Sequence, residues 1–268
     1  MKYSTELLSL ILLSIITFFI MYYIKQKKVN GTDQINKVFV YNLWLIIIWN
    51  GGLIAQILSI NFFPINPIYF DYFTYISICL MPISILFMGI VFLKTKVKLN
   101  RAHLLLFIIP VITLLVLWTN DSHHLFYRVY DIELENVVTG PYAIVHSIYS
   151  YGILVIGLFL LVKGSIKNSG FFSRQSILII LGSLLPISIN IIGTLKIIPL
   201  NIYMTPIAFA FFLFCCAIAM FRFQFLSVAP IALERIVDRM SDLYVVINDN
   251  YKITDFNKPF SSLNRNSI

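Results

Sequence analysis

The stretch Asn120-Asp-Ser-His-His-Leu-Phe-Tyr-Arg-Val-Tyr-Asp-Ile-Glu-Leu-Glu-Asn136 gathers the groups in this chain best suited to chemistry. It carries adjacent imidazoles at His123 and His124 and the phenol of Tyr127. Four acids, Asp121, Asp131, Glu133 and Glu135, face a single Arg128. A further imidazole, His146, lies about a turn and a half beyond Pro141 along a helical path, which sets it beneath this loop. Imidazole with carboxylate suits several divalent ions. Adjacent histidines rarely share one ion, however, and acidic loops are usually solvated, so no metal and no cofactor is assigned. Two readings remain: a hydrogen-bonded cap over a small-molecule pocket, and plain packing of a loop. In the first, the candidate ligand-binding residues are His123, His124, Tyr127 and His146. The alternation of Tyr130, Ile132 and Leu134 predicts a short hairpin-like lid.

Several catalytic chemistries are excluded by motif. The sequence contains no H-E-x-x-H, no G-x-S-x-G and no P-loop. The last apolar run has no lysine to hold a retinal. Cys79, Cys215 and Cys216 fall inside apolar runs, which leaves neither a disulfide framework nor a C-x-x-C metal pair. No catalytic constellation is found.

The elements that must position these groups are seven long apolar runs: Glu6–Ile24, Val38–Ile60, Tyr72–Leu93, His103–Thr119, Pro141–Val162, Gln175–Leu195 and Ile202–Phe221. Each is near the ~20 residues a helix needs to cross a ~30 Å hydrocarbon core. Lipid offers the backbone no hydrogen-bond partner, so the runs must be helical. They lack the polar faces that a soluble helical core would show. The fold class is therefore an all-α integral membrane protein with seven transmembrane helices. Of the Lys and Arg residues, seventeen lie in the first, third and fifth loops and the C-terminal segment. Only three, Lys2, Arg128 and Lys196, lie on the opposite side. By the positive-inside rule the N-terminus is outside and the C-terminus cytoplasmic, in a multi-pass protein of the cell membrane. The net charge of +8 is thus a topology signal and no argument for nucleic acid as a partner. The first run is too long for a signal-peptide core and no small-x-small site follows Ile24, so it is taken as retained. Trp118 and Tyr142 fit an interfacial aromatic belt.

Within the spans, ionisable groups are nearly absent, which argues against a pump or a carrier of charged substrates. Asn50, Gln56 and Asn190 are expected to form interhelical hydrogen bonds. Gly51 and Gly52 are expected to admit a neighbouring helix, and Pro82, Pro110, Pro186 and Pro206 to kink or open theirs.

Beyond residue 221 the pattern changes. Leu226, Pro230, Leu233, Val237, Met240 and Tyr244 recur at spacings of four and three, a short coiled-coil-like seam. This predicts a cytoplasmic linker helix over 222–240 that either transmits movement of the seventh span or packs on its own neighbour. From residue 241, Leu243-Tyr-Val-Val-Ile-Asn-Asp-Asn and Tyr251-Lys-Ile-Thr-Asp-Phe-Asn read as two strands around a turn. Two short strands bury no core, so 241–268 reads as the opening of an unfinished α/β domain.

The later runs carry ordered motifs: Leu104-Leu-Leu-Phe-Ile-Ile-Pro110, Trp118-Thr-Asn-Asp-Ser-His-His124-Leu-Phe-Tyr127, Gly140-Pro-Tyr-Ala-Ile-Val-His146-Ser-Ile-Tyr149-Ser-Tyr151 and Arg174-Gln175 leading to Pro186 and Asn190. Thr205-Pro206, Phe221-Arg222-Phe223 and Ala229-Pro-Ile-Ala-Leu-Glu-Arg235 follow. In this order they resemble the N-terminal seven-transmembrane sensor region of bacterial histidine kinases, also found on diguanylate cyclases. The segment from Met240 resembles the start of a PAS domain. The resemblance implies a signal-input module, a homodimer, which senses an external or membrane-derived small ligand and drives a cytoplasmic kinase or cyclase output module. It carries over no catalytic activity: no phosphoacceptor-histidine context, ATP-binding domain or G-G-D-E-F motif is present in this sequence. The competing readings are a permease-like protein for a neutral small molecule, which would show inverted repeats that are not visible here, and a non-signalling remnant of a truncated sensor gene.

Overall fold

The computed structural model describes residues 3–27, 33–63, 65–94, 100–169, 174–223, 240, 242–247, 253–257 and 259–260. The chain divides into two compact units, Met1–Leu226 and Ser227–Ile268. The first is built from α1 (Ser4–Lys27), α2 (Asp33–Phe62), α3 (Ile68–Lys94), α4 (Arg101–Leu104), a 3-10 turn (Leu105–Phe107), α5 (Ile108–Trp118) and α6 (Asn120–His123). A two-stranded hairpin follows, β1 (Tyr127–Val129) with β2 (Val138–Thr139), then α7 (Pro141–Ser169), α8 (Arg174–Thr194) and α9 (Met204–Phe223). Five helices, over Ser4–Gln26, Gln34–Phe62, Ile68–Leu93, Pro141–Ile166 and Ser176–Thr194, are long and apolar enough to cross a membrane. Leu105–Trp118 and Met204–Ala219 are apolar but shorter.

The apolar surface of this unit faces outward as well as inward. Leu8, Phe19, Ile148 and Phe159 are each at least 60% exposed, a cost that lipid removes and water would not. The inward core centres on α2 and α3. Phe39, Leu43, Ile46, Leu53 and Ile57 on α2, with Cys79, Met81, Ile85 and Met88 on α3, are almost fully buried. Cys215 and Cys216 on α9 are also buried.

Apolar side chains gain nothing by leaving lipid for protein, so helix association rests on close packing. Helices α3 and α7 achieve it through glycine. A Cβ on Gly157 would sit 2.8 Å from the Leu86 amide nitrogen, and one on Gly89 would sit 2.7 Å from the Gly157 carbonyl oxygen. Gly164, one heptad on, lies against the Phe92 ring. Gly52 abuts Thr74 and Phe73 of α3, as expected, whereas Gly51 faces open space. The polar residues behave less uniformly than expected. Asn50 on α2 donates to Ser14 Oγ of α1 (3.3 Å), but Asn190 donates to Pro186 O of its own helix (2.7 Å). The Asn190 side chain thus bonds back to the carbonyl one turn earlier in its own helix.

The fourth apolar run is not one continuous α-helix. It is α4, a 3-10 turn and α5 in series. Pro110 has no N–H to offer the carbonyl four residues earlier, and its ring crowds that carbonyl. The affected group is Leu106 O, and the Tyr149 hydroxyl of α7 donates to it instead. The break is thereby converted into an interhelical tie.

In the second unit, β3 (Val245–Ile247) and β4 (Ile253–Phe256) pair antiparallel, with Val245 opposite Phe256 and Ile247 opposite Ile253. Asn257 closes the hairpin: Oδ1 accepts from Tyr244 N (3.1 Å) and Nδ2 donates to Asp242 O (2.8 Å). Of the seam residues, Leu226, Pro230, Leu233 and Val237 lie outside the described residues; Met240 is exposed and lies outside any helix.

Two outcomes follow from this packing. Gly157→Leu separates α3 from α7 and removes the folded protein from detergent extracts, while Gly152→Ala, with open space at its Cβ, leaves the yield unchanged. Tyr149→Phe removes one interhelical hydrogen bond and lowers unfolding stability by about 1 kcal/mol, measurable by steric-trap or SDS unfolding.

Candidate functional site

The geometry begins with Asn120, at the first residue of α6. Its Oδ1 accepts from the amides of Phe126 (2.9 Å) and Tyr127 (3.1 Å), and its Nδ2 donates to Tyr127 O (3.0 Å). Three bonds from one buried side chain fold the loop back on itself. His124 takes the left-handed conformation (φ 52°) that ends α6, a strained position for a residue with a Cβ. Gly140 then passes so close to the Leu125 carbonyl that a Cβ would collide with it. Its amide donates to Phe126 O (2.7 Å), and Pro141 opens α7 at the one helical position that has no use for an N–H.

The folded loop delivers Phe126 and Tyr127 into the end of the bundle, where both are buried. There the Tyr127 hydroxyl donates to Asp71 Oδ2 (3.2 Å) and shares a 2.9 Å hydrogen bond with the Tyr75 hydroxyl. Asp71 stands one turn into α3 and is only 4% exposed. Among the described residues the Tyr127 hydroxyl is the sole hydrogen-bond partner of its carboxyl group, and no cation lies beside it. Burial, and secondly the charge of Asp71, hold the Tyr127 phenol well above its usual pKa near 10, so it keeps its proton and acts as the donor. Tyr130 is raised for the same two causes, burial first. Its hydroxyl accepts from Gln56 Nε2 of α2 (2.5 Å), which also donates to Pro67 O (3.1 Å).

Rings surround this network. Tyr127 meets Tyr130 edge to face at 5.4 Å and Phe126 at 5.0 Å, and Tyr75 meets Phe126 at 5.1 Å. His146 packs on Tyr75 and on Phe126, both at 5.7 Å, with Ser150 Oγ 3.4 Å from its Nε2.

The same end is bound together by backbone. Leu134 N donates to Leu200 O (2.9 Å) and Ile202 N to Ile132 O (3.2 Å), which ties the loop to the α8–α9 connection. Lys196 Nζ donates to the carbonyls of Glu135 (2.9 Å) and Val137 (2.8 Å). Tyr3 donates to Glu133 Oε1 (2.9 Å), and burial with that contact raises its phenol to about 12. The expected lid over 130–134 is therefore the loop between β1 and β2, and it pairs with residues 200–202 as well as closing its own hairpin.

Of the four residues singled out from sequence, Tyr127 and His146 enter one buried cluster, joined through Tyr75 and Phe126. His123 is held at the rim. Its Nδ1 accepts from Leu125 N (3.0 Å) and its Nε2 lies 3.0 Å from Thr119 Oγ1, so the proton is assigned to Nε2. His124 is exposed. No group of three His, Cys, Asp or Glu side chains spaced to hold a metal ion exists among the described residues.

The residue that sequence reasoning missed is Asp71. Hydropathy alone starts the third apolar run at Tyr72, which puts the acid in a loop. The helix instead begins at Ile68, just after Pro67, and draws Asp71 inside. The available signal was an acid in the wholly apolar and aromatic setting Ile68-Tyr-Phe-Asp71-Tyr-Phe, with Tyr75 one turn on.

Neither a curated protein nor a solved structure matches the chain. Residues 9–230 match the family described as the N-terminal 7TM region of histidine kinase. That match takes in every helix of the first unit and the loop that carries Asn120, Tyr127 and Gly140. With most of its length matched in this way, the chain belongs to the family of N-terminal seven-transmembrane regions of histidine kinases.

Proposed function

We propose that this chain is the sensory input module of a histidine-kinase-type receptor and itself performs no catalysis. The observation that carries the reading is the buried cluster of Asp71, Tyr75, Tyr127 and His146, which joins a polar loop to the ends of helices within a family of kinase input regions. The distribution of lysine and arginine supports an N-terminus outside the cell and a cytoplasmic C-terminus, which sets the cluster at the outer face. There an extracellular or membrane-derived small ligand is sensed, with Tyr127 and His146 at the centre and His123 and His124 at the rim.

The output would be mechanical. A ligand that favours one of two packings by a few kcal/mol shifts their populations, and α9 passes the change to Leu226, Pro230, Leu233, Val237 and Met240. The module acts as a homodimer and hands the change to a cytoplasmic kinase or cyclase. Residues 241–268 would open a PAS-like domain between the two.

The direct test fuses residues 1–240 to an intact histidine-kinase core and reads phosphotransfer. Combined replacement of His123, His124, Tyr127 and His146 by Ala abolishes regulated output while membrane insertion stays normal. Unchanged regulation in that variant refutes the outer site. Asn120→Ala alone leaves the amides of Phe126 and Tyr127 without their acceptor. It costs about 1–3 kcal/mol of local stability and yields a receptor locked in one output state.

A further inference from the structure

Resting on the sensor reading, we propose that the ligand class recognised here is a protonated amine, with Asp71 as its counter-ion. A carboxylate inside a membrane-embedded bundle is costly unless it pairs with something, and such groups recur as counter-ions of ligands. Asp71 is nine-tenths buried and more, yet the described residues give it one neutral hydroxyl and no Lys, Arg or His contact. The second observation is independent. Gln56 is fully buried beside Tyr130, its amide nitrogen is satisfied twice, and its Oε1 has no hydrogen-bond partner among the described residues. The Tyr203 hydroxyl, within electrostatic reach of Asp71 and Tyr130, is likewise buried and has no hydrogen-bond partner among the described residues. Among the described residues the acid thus lacks a cation and the Gln56 carbonyl lacks a donor.

An ammonium group supplies what is missing: a positive charge for Asp71 and N–H donors for the Gln56 carbonyl. The faces and edges of Tyr75, Tyr127 and Tyr130 around the acid suit a cation with a short alkyl body. The rim adds a field of the right sign. Glu6, Asp121, Asp131, Glu133 and Glu135 lie at this end, against Arg128 and a Lys196 already committed to two carbonyl oxygens. Acidic walls of this kind concentrate cations at a cleft.

The test uses the full chain in lipid nanodiscs and follows its thermal unfolding at constant ionic strength. The probes are primary alkylamines from methylamine to spermidine, with tetramethylammonium as the cation that lacks N–H donors. At least one amine raises the midpoint in a saturable way, and Asp71→Asn weakens that response at least about tenfold. Tetramethylammonium is weaker by a similar factor. If Asp71→Asn is not recovered folded, Asp71→Glu takes its place; a displaced midpoint concentration supports the counter-ion role and an unchanged one overturns it. No shift beyond that of sodium chloride with any amine also overturns the inference. The kinase fusion separates the two proposals. Asp71-dependent amine binding with a silent fusion supports the amine site and refutes the sensor reading. A fusion that responds to its environment while the chain binds no amine does the reverse.

Discussion

The hydrogen bond from Tyr127 to Asp71 is the contact on which the arrangement of the loop end depends. Lipid gives helices no reason to choose one neighbour over another, so specificity must come from shape and from polar groups that have nowhere else to turn. Asp71 is such a group: once α3 begins at Ile68, its carboxyl is inside, and the Tyr127 hydroxyl is the donor that reaches it. Tyr127 can arrive only because Asn120 and Gly140 bend the loop inward. The backbone from residue 120 to residue 141 is thus built to deliver one phenol and one phenyl ring to one acid.

Below that level the bundle is held by a different kind of constraint. Gly89, Gly157 and Gly164 let α3 and α7 meet almost backbone to backbone, which fixes their separation tightly. The Tyr75 and His146 rings touch across the same helix pair, one on each helix. The cluster therefore sits on a closely packed helix pair, where a small displacement of either helix alters ring contacts at once. A loosely packed pair would absorb the same displacement silently.

Much of this was readable in the amino-acid sequence, and the exceptions have physical causes. The apolar runs locate the helices because the length needed to cross lipid is fixed, and Gly140-Pro141 marks the start of α7 because each residue has one dominant backbone role. Tyr127 and His146 could be picked out as polar groups near a helix end. Asp71 escaped because hydropathy defines a span by its apolar interior, and the acid lies in the first turn, outside that window but inside the structure. Asn190 bonds within its own helix, not to a neighbour. Sequence shows that an amide within a span must bond, but the choice between a neighbouring helix and the Pro186 carbonyl of its own depends on which face it occupies. His123 and His124 look alike on the page; only the chain reversal at α6 gives one a bonded ring and the other an exposed cap position.

The pairing of Ile132 and Leu134 with Ile202 and Leu200 has a consequence for how the protein is made. The loop emerges from the ribosome nearly seventy residues before its partner. During that interval α7 and α8 must be threaded into the bilayer while the backbone groups of the loop remain without their final neighbours. Contacts of such sequence separation are slow to close. Assembly of the loop end is therefore completed only after residues 200–202 have been made.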